Sequence, residues 1–177
     1  LRKLPTFQQI GKLSGLVKTS GIHEVLVTAP LVEAVRRLAG PGTLAMQETN
    51  WLLSPAHQGA WTLEGLNWHV DLANRDRLPG IQAFFLIDDV ASRGGATLAL
   101  AGSHRPEFRR QRAAALRELL RTTDDLKRQL SGMDLQLIEM SGRAGDVFLM
   151  DMRVLHTPSV NAARKRRVMA TCRWMTG

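Results

Sequence analysis

The chain has one cysteine, Cys172, in 177 residues. No disulfide can close within it, so the usual mark of an oxidising compartment is missing and the cytoplasm is the expected location. Tyrosine is absent and aromatic residues make up only 5%, which leaves little of the stacking equipment that single-strand nucleic-acid binders use. No apolar run approaches the ~20 residues needed to span a bilayer. The densest patches, Ala83 to Ile87 and Val147 to Met150, are strand-sized, and no membrane association is expected. Repeats, low-complexity tracts and Ser/Gly/Pro linkers are also lacking, so residues 1–177 are expected to form a single domain. The sequence opens at Leu1 without an initiator Met or a signal-like apolar segment. It is therefore expected to lack the N-terminal residues of a longer protein.

What is present is ordinary in bulk and basic in charge. Hydrophobic residues account for 44% and charged residues for 23%, close to soluble-protein averages. A chain of this size buries about 70% of its unfolded surface and needs no staple to fold. Twenty-four basic residues against 16 acidic ones give a net charge of +8, which permits nucleic acid or acidic small molecules as partners without requiring either.

Local signals predict many short strands. Residues 1–27 are ambiguous, with Gly11, Gly15 and Gly21 breaking any long element. Thr28 to Gly40 reads as a helix: Thr28 caps it, Pro30 suits its first turn, Leu31, Val35 and Leu38 line one face, and Gly40-Pro41-Gly42 stops it. Strands are expected over Thr43 to Leu53, Leu66 to Leu72, Gly80 to Val90, Ala96 to Leu100, Leu135 to Met140, Asp146 to Met150 and Arg166 to Met175. Between them Glu107 to Leu130, rich in Arg, Ala, Leu and Glu, predicts two helices broken near Thr122-Thr123. A mainly β domain is expected, an antiparallel sandwich or barrel with helices at the start and in one insert.

The chemistry concentrates in Asn67-Trp68-His69-Val70-Asp71. Residues two apart in a strand point to the same side, so His69 and Asp71 are expected to project an imidazole and a carboxylate together. His156 follows another strand region. Two histidines and one carboxylate can occupy one face of an octahedral metal and leave three positions open, as in non-haem Fe(II) oxygenases. A lone His-x-Asp is also what two ordinary polar strand residues look like. Eleven residues after His156, Arg167 begins the last strand, where alternation sets Arg167, Met169, Thr171 and Arg173 on one face and Val168, Ala170, Cys172 and Trp174 on the other. If the first face lines the interior, Arg167 is a buried cation, costly unless paired, and its fork matches a carboxylate. A dicarboxylate such as 2-oxoglutarate would supply that partner while its 2-oxo acid end chelates iron.

Taken together, Trp68-His69-x-Asp71, Gly94-Gly95-Ala96-Thr97-Leu98-Ala99-Leu100-Ala101-Gly102-Ser103-His104, Gly145-Asp146-Val147-Phe148-Leu149-Met150-Asp151, His156 and Arg167 resemble the phytanoyl-CoA dioxygenase-like family over about residues 43–175. The resemblance implies a double-stranded β-helix, a jelly-roll or cupin-like barrel, with an N-terminal helix and a helical insert at about 105–131. It implies Fe(II), O2 and the co-substrate 2-oxoglutarate. His69, Asp71 and His156 would be the iron ligands and catalytic residues, and Arg167 the co-substrate arginine. Gln47 and Phe84 match co-substrate-contacting positions. The family often places a hydroxyl residue two positions after the distal histidine; here that position is Pro158, and Thr157 or Ser159 is expected to compensate. Ala101 stands where a proline is frequent. Halogenating relatives lack the carboxylate, so Asp71 implies hydroxylation of an unactivated C–H bond, with release of succinate and CO2. The substrate would be a small molecule or a thioester-tethered metabolite. The alternative is a basic polyanion- or nucleic-acid-binding module, or a nucleic-acid-directed oxygenase, on the same barrel. Without a nucleotide-recognition motif, nucleic acid is the less favoured partner, and the oligomeric state is left open.

Other residues read as structural first. His104 is expected to stabilise a turn, Trp68 to pack away from the metal face, Asp146 to hold a turn, and Cys172 to be a buried thiol. His23, His57 and Asp88-Asp89 lack partner spacing. Trp51 and Trp61 are candidate pocket walls. The insert's arginines, among them Arg105, Arg109, Arg110, Arg112, Arg117 and Arg121, together with Arg164-Lys165-Arg166, form either a solvated face or a lid that meets an anionic substrate.

Overall fold

Period-two burial builds the molecule around its last strand. A computed structural model describes residues 3–40, 42, 44–72, 78–108, 111–122 and 125–177, with backbone only at 111–113 and 122. Eight strands follow three N-terminal helices: α1 (Thr6–Ser14), α2 (Ile22–Leu26) and α3 (Ala29–Ala39). The strands are β1 (Leu44–Met46), β2 (Asn50–Ser54), β3 (Gly80–Leu86), β4 (Thr97–Ala101), β5 (Gln136–Glu139), β6 (Val147–Asp151), β7 (His156–Pro158) and β8 (Arg167–Thr176). Between β4 and β5 lie a short 3₁₀ turn and two helices, α4 (Gln111–Thr122) and α5 (Leu126–Gly132).

β8 is the hub of the larger antiparallel sheet, pairing with β1, β2 and β3, while β6 pairs on the far side of β3. The smaller sheet runs β5-β4-β7. Phe84, Leu86, Met150 and Met169 of the larger sheet pack with Ala99 of the smaller one in a core between the two. The opposite face of β3 and β8, with Ala83, Phe85, Cys172 and Trp174, packs against Val35 and Leu31 of α3. Leu98 and Leu100, on the outer face of β4, pack against Leu116 and Leu120 of α4 and Leu130 of α5. The result is a cupin-like double-stranded β-helix, mainly β, with helices on both outer faces. Gly80 lets β3 run close to β8, since an added Cβ would sit 2.5 Å from the Trp174 carbonyl oxygen.

Several expectations change. The strand predicted over residues 43–53 is two strands: Met46 faces Trp174 and Asn50 faces Thr171, so three residues, 47–49, oppose two on β8. This is a bulge; Gln47 keeps a backbone hydrogen bond to Arg173 but its side chain is exposed. The stretch Leu66 to Leu72 is not a strand; a single antiparallel bridge joins His69 to His156. Thr28 precedes α3 in an extended conformation but makes no side-chain cap. Leu38 is 60% exposed while Val35 is fully buried, so the buried stripe of α3 is narrower than expected. Gly11 sits inside α1 and breaks nothing. The expected strand start at Thr43, the helix stop at Pro41, the break at Thr123, Arg109 and Arg110, and the side chain of Arg112 lie outside the described residues. Among the described residues, no helix is long and apolar enough to cross a membrane.

Candidate metal centre and co-substrate pocket

Three donors converge at one end of the space between the sheets. One ligand atom each from His69, Asp71 and His156 lies within 4.8 Å of the other two. His156 opens β7, and His69 is held to it by reciprocal backbone hydrogen bonds of 2.9 Å in each direction. The two rings stand 4.4 Å apart. Neither ring is free to choose its tautomer. Nδ1–H of His69 donates to the Asn67 carbonyl at 2.8 Å, and Nδ1–H of His156 donates to the Val154 carbonyl at 2.9 Å. A carbonyl only accepts, so both Nε2 atoms keep their lone pairs for a metal. Burial, and then the neighbouring His69, push His156 down to about 4, which keeps it neutral at physiological pH.

Asp71 completes the set. Its Oδ1 accepts a hydrogen bond from Nη2 of Arg173 at 3.0 Å. Its Oδ2 is buried, has no hydrogen-bond partner among the described residues, and lies 3.8 Å from His156 Nε2. A buried, undonated carboxylate oxygen beside two imidazole lone pairs is an unfavourable arrangement by itself. A divalent transition metal with nitrogen and oxygen preferences resolves it, so the residues present fit such an ion.

Next to this centre lies a cavity of about 300 Å³ whose walls include Gln82, Phe84, Pro158, Arg167 and Thr171. Arg167 is only 3% exposed. Its Nη1 points at the Met169 sulfur 2.9 Å away, and its Nε has no partner. Among the described residues no carboxylate pairs with it. Burial lowers its pKa to about 10, so it remains a cation at neutral pH. A desolvated guanidinium facing a cavity, unpaired among the described residues, calls for an anion.

Of the residues expected to contact a co-substrate, the structure brings Arg167 and Phe84 to the cavity; the Phe84 ring stands edge-on to His156 at 6.3 Å. It does not bring Gln47, which is exposed in the bulge, its N–H donating to the Arg173 carbonyl and its own carbonyl accepting from Cys172 Sγ. Nor does it bring Thr157 and Ser159. Alternation along β7 turns His156 and Pro158 inward and these two hydroxyls outward, where Thr157 donates to the Pro158 carbonyl and Ser159 to the Ala96 carbonyl. Pro158 therefore has no hydroxyl substitute from either neighbour.

Sequence reasoning missed Gln82. It is buried, its Nε2 donates to Thr171 Oγ1 at 2.8 Å, and Thr171 in turn donates to the Ala83 carbonyl. That relay fixes the amide orientation and leaves Oε1 an acceptor without a donor at the cavity wall. The signal was legible, since Gln82 stands two residues before Phe84 on the same strand face.

The remaining candidates take structural places. Ser103 of the Gly-Ser-His turn accepts the Leu155 N–H at 2.8 Å and so anchors the approach to His156. His104 lines a separate groove with Lys127 and Asp134. Trp68 is buried against the insert and its carbonyl accepts from Arg117 Nε at 3.0 Å. Trp61 stacks under Arg93, and Trp51 packs behind the larger sheet. Arg105 is engaged by Asp134 and by two carbonyls of the segment before β5. Asp146 holds the turn before β6 through the Arg143 N–H. Cys172 is buried, which raises its pKa.

Comparisons with known proteins agree with this fold. No curated protein matches the chain. Solved structures resemble it at low identity. HygX from Streptomyces hygroscopicus with nickel and 2-oxoglutarate bound superposes with a TM-score of 0.62 at 15% identity, covering 96% of this chain and 76% of that one. EctD from S. alaskensis with 2-oxoglutarate and 5-hydroxyectoine gives 0.61 at 17%, covering 86% of this chain and 51% of that one. AviO1 from Streptomyces viridochromogenes gives 0.57 at 18%, covering 86% and 59%. Identities this low establish the fold alone, and this chain spans little more than half the length of the latter two relatives. The model of the phytanoyl-CoA dioxygenase (PhyH) family matches residues 4–169. With nearly its whole length matched, the chain belongs to the PhyH family, whose members are Fe(II)- and 2-oxoglutarate-dependent oxygenases.

Proposed function

We propose that this protein is an Fe(II)- and 2-oxoglutarate-dependent hydroxylase acting on an unactivated C–H bond of a small-molecule or thioester-tethered substrate. One observation carries the reading: His69 and His156 of a two-histidine, one-carboxylate donor set line the same cavity as a buried arginine that has no carboxylate partner among the described residues. His69, Asp71 and His156 would hold the iron through two Nε2 atoms and Oδ2. Bound there, iron with 2-oxoglutarate and O2 supplies the oxidising power, and succinate and CO2 leave.

The chain's own groups do the positioning. Arg167 receives the distal carboxylate of the co-substrate, replacing lost hydration with charge-assisted hydrogen bonds. Phe84 and Met169 keep water from that end, since both are buried in the core between the sheets. Gln82 offers a fixed acceptor to a donor on whatever occupies the cavity. The His156 imidazole, kept neutral by burial, need lose no proton to bind metal.

The test needs no substrate. Under anaerobic conditions, Fe(II) followed by 2-oxoglutarate should produce the weak visible charge-transfer band of the chelate. His69→Ala should abolish it, and Arg167→Ala should require far more 2-oxoglutarate. A folded wild-type protein that binds neither iron nor 2-oxoglutarate refutes the reading.

A further inference from the structure

We propose that Arg173 is a positioning residue that presents Asp71 to the metal through one oxygen only; the inference rests on the metal-centre reading above. The two oxygens of Asp71 are already distinguished. Oδ1 accepts from Arg173 Nη2 at 3.0 Å, while Oδ2 has no donor among the described residues and lies 3.8 Å from His156 Nε2.

The other two ligands have backbone anchors. His156 begins a strand, and His69 is bridged to it in both directions. Asp71 has neither. It stands outside any strand, and among the described residues Arg173 supplies its carboxylate's only hydrogen bond. The backbone of Arg173 is fixed in the sheet. It lies on β8 opposite Gln82, six residues beyond Arg167 on the same face, and its side chain forms part of the cavity wall.

The consequence is one of coordination number. An unrestrained carboxylate can close on a divalent ion with both oxygens and take a second position. With Oδ1 held by Arg173, Asp71 takes one, and three positions stay open for co-substrate and O2. The Arg173–Asp71 ion pair does not favour the metal through charge, because a guanidinium beside the ligand repels a divalent cation. Orientation and electrostatics therefore predict opposite signs when Arg173 is removed.

Co(II), stable in air and coloured, is the probe. Wild type, Arg173→Met and Arg173→Lys would be titrated calorimetrically and by visible absorption, then mixed with 2-oxoglutarate, with folding checked by thermal melts. The expected result is that R173M binds Co(II) roughly 10–100-fold more weakly, as for other groups that orient metal ligands, and that its cobalt bands differ from wild type. R173K, whose ammonium can reach a single oxygen, should recover part of the affinity. If R173M fails to fold, Arg173→Gln carries the same expectation. R173M binding as tightly as wild type or more tightly, with the same bands, overturns the positioning role and leaves the metal centre standing. A folded wild type that takes up no Co(II) overturns both.

Discussion

Replacing Arg167 with methionine should move stability and affinity in opposite directions. The guanidinium is buried, its Nε has no partner, and it faces no carboxylate among the described residues. Among the described residues, the charge is therefore uncompensated in the unliganded protein. Methionine is close in length, apolar, and adaptable beside Met169, Leu52 and Phe84. Exchanges of buried ionic groups for fitting apolar ones are often neutral or stabilising by about 1–4 kcal/mol. In a protein of this size each kcal/mol is worth about 2–4 °C in Tm, so Arg167→Met should melt at or above the wild-type temperature by several degrees. Co-substrate binding should suffer, because the distal carboxylate of 2-oxoglutarate would now be buried without a partner. A loss of about 3 kcal/mol, the low end for removing one member of a buried charge pair, is about a hundredfold in Kd. Melting curves with Mn(II), with and without 2-oxoglutarate, read both effects. At a hundred times its Kd the ligand stabilises wild type by about 2.7 kcal/mol, and the variant should show almost none of that shift. A variant that melts well below wild type yet keeps the full 2-oxoglutarate shift would mean that Arg167 is a structural cation facing something other than the co-substrate, and the argument would fail.

The fold was legible wherever burial follows a simple period. The alternation along β8 correctly separated the cavity face, with Arg167 and Thr171, from the face packed on α3, with Cys172 and Trp174. The gathering of His69, Asp71 and His156 was also legible, but not by the expected route. These residues do not share a strand: a single bridge to β7 and a side-chain contact to Arg173 bring them together. Both contacts join residues far apart in the sequence, His69 with His156 and Asp71 with Arg173, and no local pattern encodes them. Gln47 failed because a bulge is a one-residue mismatch between two strands, invisible in either strand alone. Thr157 and Ser159 failed for a more avoidable reason. A hydroxyl one residue away from an inward position on a strand faces outward, and the alternation used for β8 would have excluded both. Leu38 lies on an apolar helical face that is wider in the sequence than the sheet beneath it can cover.

The same contacts make two further predictions. On α3, Leu38→Lys should change stability by no more than about 0.5 kcal/mol, as for other exposed positions. Val35→Ala, which empties space behind β3 and β8, should cost about 1–3 kcal/mol by lost burial and cavity formation; equal losses in urea denaturation would mean that α3 packs through a different face. The Gly-Ser-His turn gives a sharper case, because it links stability to the site. Ser103 is 5% exposed, and its hydroxyl takes the Leu155 N–H at 2.8 Å, one residue before His156. Ser103→Ala leaves that buried N–H without an acceptor, which costs about 1–3 kcal/mol. The strain falls on the backbone that presents His156 to the metal. Urea denaturation of the metal-free protein should register the stability loss, and Co(II) titration should register a weaker site. Glycine at 102 holds a left-handed conformation, φ +91°, with Leu135 and Asp134 close around it, so the turn has little freedom to find another donor or acceptor. If Ser103→Ala lost stability but bound Co(II) like wild type, the turn would be a fold element only. If it lost neither, the Leu155 N–H would have to be satisfied by water, and the hydroxyl would not be what holds this approach to the metal ligand.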